Sequence, residues 1–197
     1  MNDWDTISRP DRQYAGPVSN PDRYALDEVV SQGMEGRLWR ASLPVDGHRF
    51  QVAVKEIHQR NVGSLEEWLE RWERQAELLR SLDHPGLVRV REVFQGVPAH
   101  RRGEASPQER SLFLVMNWAN GRPLDDWVRD RDRPDRLGVL EQVAAAVQHL
   151  HSGKDTNGVA VLHRDIKPQN IIVSDDGHPR LVDFGFARLA DGADYTL

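Results

Sequence analysis

"VLHRDIKPQN", residues 161–170, sets His163, Arg164, Asp165, Lys167 and Asn170 directly behind an apolar Val161-Leu162 pair. A charged surface turn is the bland reading of such a stretch. The sharper one is a site that handles phosphate and metal. Asn and Asp side chains offer the hard oxygens that magnesium prefers, and lysine is a compact positive charge. The segments on either side decide between the two.

Downstream, "IIVSDDGHPRLVDFGFA" (171–187) predicts a hairpin turning at Asp176-Gly177. Upstream, "LDDWV" (124–128) and "RLGVLEQVAAAVQHLHS" (136–152) predict helices, followed by a turn-rich "GKDTNG" insertion. Before "NGRP" (120–123) the character changes. "YALDEVV", "GRLWRASLPV" and "RFQVAVKEI" predict three strands, the last two joined by a hairpin turn at Asp46-Gly47. "HPGLVRVREVF" and "SLFLVMNWA" predict two more, separated by the polar stretch "QGVPAHRRGEASPQER", which reads as a mobile loop.

Between these strands, residues 64–82 are helical. Leu65, Trp68, Leu69, Trp72, Ala76 and Leu79 make one apolar stripe, and Ser64 with Glu67 fits a capping box. Residues 1–23, with Pro10, Pro17 and Pro21, read as a flexible lead-in. The expected organisation is a lead-in (1–23), a small sheet-rich lobe with its connector (24–121) and a helical lobe (122–197) sharing a cleft. The fold class is α+β.

Composition narrows the function. The chain has 197 residues and a net charge of −5, which argues against nucleic acid as its main partner. It has no cysteine, so disulfides, thiolate metal sites and a cysteine nucleophile are excluded. There is no signal-peptide pattern at its start, and no apolar run nears the ~20 residues of a membrane helix. A cytoplasmic location is expected.

Four groups stand in a telling order: "SQGMEG" (31–36), "VAVK" (52–55), "HRDIKPQN" (163–170) and "DFG" (183–185). Together they resemble the protein kinase family, of the eukaryotic-like serine/threonine type. The resemblance implies a two-lobed fold with an antiparallel-sheet lobe, one main helix in it, and a mainly helical second lobe. It implies ATP and Mg2+ as cofactors, and a protein substrate with a serine or threonine acceptor. Asp165 is then the general base, Lys167 stabilises the transferring phosphoryl group, and Lys55 holds the nucleotide phosphates. Asn170 and Asp183 are the metal ligands. Ser31, Gly33 and Gly36 form the glycine-rich loop over the phosphates. Leu38, Ala53 and Ile172 sandwich the adenine, Met116 lines the back of its pocket, and backbone groups of Asn117 and Ala119 bond its edge. His163 is expected to stack under Phe184 as a structural residue, forming with Leu79 a spine. His149 and His151 are too close in sequence to share a helical face as metal ligands.

Three departures qualify this reading. Serine replaces the first glycine of the loop at Ser31. Ten residues before Pro85 of "LDHP", where the family places a glutamate to pair with the strand lysine, stands Gln75. Glu73 and Glu77 lie about 200° round the helix from it. A neutral amide holds a lysine less firmly than a carboxylate, so weakened or regulated catalysis is expected. The sequence also stops within what would be the activation segment, with Tyr195 and Thr196 as phosphorylation candidates that could pair with Arg164. An incomplete helical lobe would leave an apolar surface for a partner. The competing readings are a pseudokinase that serves as a nucleotide-binding scaffold, and a small-molecule kinase; Lys167-Pro168 counts against the latter.

Overall fold

The computed structural model describes residues 11–33, 36–57, 65–106, 109–184 and 188–190. The capping box at Ser64 and Glu67, the stripe side chains of Leu65, Trp68 and Leu69, and the phosphorylation candidates Tyr195 and Thr196 lie outside the described residues or side chains. The chain divides into two compact units. One comprises residues 1–60 and 92–118, the other residues 61–91 and 119–197.

The first unit is built on an antiparallel sheet. Its strands are β1 (Gln13–Ala15), β2 (Tyr24–Gly33), β3 (Gly36–Val45), β4 (His48–Ile57), β5 (Val90–Gly96), β6 (His100–Arg101) and β7 (Ser111–Asn117). Their order is β5-β7-β4-β3-β2-β1-β6. The β3–β4 hairpin turns at Asp46-Gly47, where both residues take positive φ (48° and 78°), as the sequence predicts for a tight two-residue turn.

Strand β1 lies within the stretch that the sequence reads as a lead-in, and β6 within the stretch read as a loop. Strand β1 pairs with β2 on one side and with β6 on the other. A further bridge joins Pro17 to Gly96, so the chain just after β1 meets the end of β5, the first strand in the order. The sheet thereby curls round one apolar core of Ala15, Tyr24, Leu26, Trp39, Ala41, Val52, Val54, Phe94, Phe113 and Val115. Phe94 stacks between Tyr24 (centroids 5.9 Å) and Phe113 (5.0 Å). Arg23 and Tyr24 both donate to the Glu92 carboxylate. His100 bridges the Pro98 carbonyl and Asp22, whose other oxygen accepts from the Gly103 N–H.

The curl depends on a close approach. A Cβ on Gly96 would stand 2.2 Å from the Gly16 carbonyl oxygen. Gly96→Ala is expected to cost about 1–3 kcal/mol of stability, since backbone must move to admit it. Gly138 has open space where its Cβ would point, and Gly138→Ala in a helix is expected to stabilise by about 0.5–1 kcal/mol. Urea denaturation of the two variants beside the parent chain checks both signs.

In the second unit, α1 (Leu65–Ser81), α2 (Leu124–Trp127) and α3 (Arg133–Ser152) accompany short strands β8 (Arg122–Pro123), β9 (Val161–Leu162), β10 (Ile171–Val173), β11 (Pro179–Leu181) and β12 (Arg188–Leu189). Trp72, Ala76 and Leu79 of the predicted stripe are buried. Helix α3 starts at Asp132, whose side chain accepts from the Asp135 N–H, and ends at Gly153 in the left-handed region, the expected cap at each end. Leu137 and Leu140 on α3 are about half exposed, at 49% and 51%. The predicted 171–187 hairpin forms as β10 and β11, with Ile171 opposite Leu181. No helix of the described residues is long and apolar enough to cross a membrane.

Candidate active site

The two units each carry part of the predicted constellation. In the first, strand register sorts the residues by face. Side chains two apart on a strand share a face, and so do cross-strand partners. Lys55 is opposite Leu38 on one side and Leu114 on the other; Ala53 is opposite Met116. Leu38, Ala53, Lys55, Leu114 and Met116 therefore lie on one face of the sheet. The core residues Trp39, Val52, Val54, Phe113 and Val115 lie on the other. Leu114 was not singled out by the sequence reading, although its two-residue step from Met116 in "SLFLVMN" is the signal that would have found it. Asn117 pairs with Val52, so its side chain falls on the core side of the sheet.

The glycine-rich hairpin pairs Ser31 with Leu38 and Gly33 with Gly36; its tip, Met34-Glu35, lies outside the described residues. Gly36 has φ +139°, and a Cβ there would stand 1.8 Å from the Glu56 carbonyl oxygen. Glycine is required at this position by the neighbouring strand, whatever binds above it. Glu56 itself, next to Lys55 but on the core face, is buried at 2% exposure and accepts from Ser111 Oγ and the Ala99 N–H, each at 3.2 Å.

In the second unit the loop between β9 and β10 folds "HRDIKPQN" into a compact cluster. Lys167 Nζ donates to Asp165 Oδ2 at 2.8 Å, and Asn170 Nδ2 donates to the same oxygen at 2.7 Å and to the Asp165 carbonyl at 2.9 Å. The Lys167 hydrogen bond, aided by that from Asn170, holds the Asp165 carboxyl below the ordinary carboxylate range against partial desolvation. Asp165 is thus ionised at neutral pH. Arg164 (φ 68°) and Asp183 (φ 64°) both sit in the left-handed region, which costs a non-glycine residue of order 1 kcal/mol or more. Such strain clusters where side chains must be aimed.

His163 is fixed as a neutral imidazole. Its Nδ1 accepts from the Asp165 N–H at 3.3 Å and its Nε2–H donates to the Val182 carbonyl at 3.1 Å. Burial depresses its pKa, more than the Val182 bond and the nearby carboxylates raise it. Its ring meets that of buried Phe184 at 4.8 Å, the contact expected from the sequence. The Val182 N–H donates to the Asn170 carbonyl at 2.9 Å, tying the segment bearing Asp183 to the one bearing Asn170. Gln75 of α1 is buried at 1% exposure; its Nε2 donates to the Phe184 carbonyl over a long 3.4 Å, and its Oε1 has no partner among the described residues.

The donor set suits magnesium. Both Asn170 amide hydrogens go to Asp165 oxygens, which leaves its Oδ1; that oxygen and the Asp183 carboxylate are of the hard type magnesium takes. Among the described residues no group of three or more His, Cys, Asp or Glu is arranged to hold a metal, and two oxygen ligands completed by phosphate and water are the usual arrangement for this ion. Ala119 follows β7, and Ile172 is half-buried in β10 opposite Arg180 and Pro123.

The loop between β9 and β10 thus ties an ionised aspartate to a lysine and an asparagine. The chain belongs to the protein kinase family: the protein kinase domain matches residues 24–196. It is 30% identical to the serine/threonine-protein kinase PknA of Mycobacterium tuberculosis over 88% of this chain and 37% of that protein. It is 32% identical to the serine/threonine-protein kinase cds1 of Schizosaccharomyces pombe over 71% of this chain and 28% of that protein. It is 30% identical to the serine/threonine-protein kinase PkaA of Streptomyces coelicolor over 88% and 31%, respectively. The chain thus spans little more than a third of the length of these relatives, or less.

Proposed function

We propose that this chain carries the nucleotide-binding and catalytic residues of a serine/threonine protein kinase that transfers the γ-phosphoryl group of ATP to a protein hydroxyl. The observation that carries the reading is the Asp165–Lys167–Asn170 cluster. Two donors converge on Asp165 Oδ2, which leaves Oδ1 to meet a serine or threonine hydroxyl. With its depressed pKa, Asp165 is a weak base. Its task is to orient the hydroxyl and to receive its proton late, as the oxygen–phosphorus bond forms and the bond to the ADP oxygen breaks. Lys167, swinging from carboxylate to phosphoryl oxygens, offsets the charge that gathers there. Lys55 projects from the face it shares with Leu38, Ala53, Leu114 and Met116, a pairing of one cation with apolar walls that suits a triphosphate joined to a flat base. Asn170 and Asp183 would hold Mg2+, which when bound neutralises phosphate charge.

A second reading has its own observation. Gln75 is neutral, buried and engaged with the Phe184 carbonyl, which favours a pseudokinase that binds nucleotide without transferring phosphate. One pair of measurements separates the readings. ATP with Mg2+ is expected to raise the melting midpoint of the parent chain, as mass action requires of a ligand that binds only the folded state. Lys55→Ala and Asp183→Ala are expected to show no such shift. A shift accompanied by phosphotransfer to a serine-containing protein supports the enzyme; a shift without transfer favours the scaffold. A cooperative melt with no shift refutes nucleotide binding altogether.

A further inference from the structure

Away from the cluster around Asp165, a second group of titratable side chains gathers where the loop after α1 meets the end of α3. The rings of His84 and His149 meet at a tilt, centroids 4.8 Å apart and 34° between planes. His149 Nε2 meets Asp155 Oδ2 at 2.7 Å, and the Asp83 N–H donates to the same Asp155 oxygen at 3.0 Å. His84 Nδ1 accepts from the Gly86 N–H at 3.1 Å. A ring nitrogen that accepts carries no proton, so this geometry exists only while His84 is neutral.

What Gly86 does next gives the cluster a reach. The Gly86 carbonyl accepts from the Leu181 N–H at 2.8 Å, and the Val88 N–H donates to the Leu181 carbonyl at 3.0 Å. Leu87 and Leu181 form a parallel bridge. Leu181 is buried and stands two residues before Asp183; between them, the Val182 N–H holds the Asn170 carbonyl. A continuous set of backbone hydrogen bonds thus runs from His84 through Gly86 and Leu181 to the segments bearing Asp183 and Asn170. Gly86 has little slack, since a Cβ placed on it would lie 2.9 Å from the Ala146 Cβ and 3.2 Å from His84 Nδ1.

We propose that His84 is a positioning residue for Asp183: its unprotonated Nδ1 fixes Gly86, and through Gly86 the Leu181 strand end, so that protonation of His84 loosens the segment carrying the metal ligand. The inference rests on the kinase reading of Asp183. The groups that face His84 are His149 on α3, Asp155 and Lys154 on the turn that follows, and Asp83 on its own loop, whose carboxylate is paired with Arg89 at 2.7 Å. Burial depresses the His84 pKa below 6.5; the His149 charge adds to this, Asp155 opposes it and Lys154 adds a little. Burial pushes Asp155 upward, but the Asp83 N–H and His149 outweigh it and leave its carboxyl below the ordinary range. The sign follows. A histidine with a folded pKa below its unfolded one lends stability above about pH 6.5 that is lost as pH falls through the folded value.

The test follows amide hydrogen exchange at Val88 and Leu181 between about pH 7.5 and about pH 5, corrected for the intrinsic pH dependence, with the His84 ring titrated by NMR in the same samples. In the parent chain, protection at both amides should fall roughly tenfold or more, with the same midpoint as His84. His84→Asn keeps an acceptor near the Nδ1 position but cannot gain a proton, and its protection should stay flat. Unchanged protection through the His84 titration overturns the proposal, as does an equal loss in His84→Asn. If that variant fails to fold, coincidence of midpoints in the parent chain decides. A second arm measures the Mg2+ concentration for half of the ATP-dependent melting shift. Acid should raise it more in the parent chain than in His84→Asn, because protonation of ATP itself affects both equally. An equal rise would leave His84 a stabilising residue only and remove its positioning role. No nucleotide shift at any pH would bring down the kinase reading and the positioning role with it, while the exchange result would still report on the hydrogen-bonded loop.

Discussion

Asp165→Asn is expected to lower the phosphotransfer rate by about 10²–10⁴, the range for loss of a positioned acid–base group, while the ATP-dependent melting shift persists. The isosteric amide retains the shape of the cluster, but it presents Lys167 and Asn170 with a neutral oxygen where both now donate to one carboxylate oxygen. It can neither accept a hydroxyl proton nor anchor Lys167 by charge. Single-turnover transfer from labelled ATP, measured beside the thermal shift, separates the chemical step from binding. Loss of both signals together would mean that the substitution has unfolded the loop. An unchanged rate would remove Asp165 from the chemistry.

Phe113→Ala is expected to cost about 3–5 kcal/mol, the range for truncating a large aromatic side chain in a packed core. Phe113 has no exposed surface and stacks on Phe94 in the middle of the curled sheet. Phe50, on β4 but 48% exposed, is the internal comparison. Phe50→Ala should change stability by no more than about 0.5 kcal/mol. Denaturant titrations of the two variants give the contrast directly. That is a large part of the about 5–15 kcal/mol that holds a typical domain together. Similar midpoints for the two variants would show that the core does not hold this unit together.

Much of the fold was legible because its signals are local. The β2, β3 and β4 strands are apolar segments set off by turn residues, and Asp46-Gly47 supplies the positive φ values that a tight turn demands. The Asp165 cluster was legible too, because its three side chains sit within six residues of one another and a single loop can bring them together. Leu114 shares the face of Lys55, and its two-residue step from Met116 was legible in the sequence though not used. Glu56 was missed because burial of a carboxylate depends on two donors, Ser111 and Ala99, that lie more than forty residues away in sequence. A polar, proline-containing stretch, residues 11–23, gave no strand signal, yet Gln13–Ala15 pairs with β2 and β6.

By itself, then, the sequence determined the family, the main strands and helices in their order, and the composition of the cluster around Asp165. Each of these is written in side-chain type and short spacing. The tertiary structure alone decided that β1 and β6 curl the sheet, that Gly96 must be glycine because the Gly16 carbonyl passes 2.2 Å from its would-be Cβ, and that His84 is linked to Leu181 through Gly86. These depend on backbone amides and carbonyls, which every residue carries alike. Where such groups find partners across eighty or ninety residues is set by packing, and no residue pattern announces it.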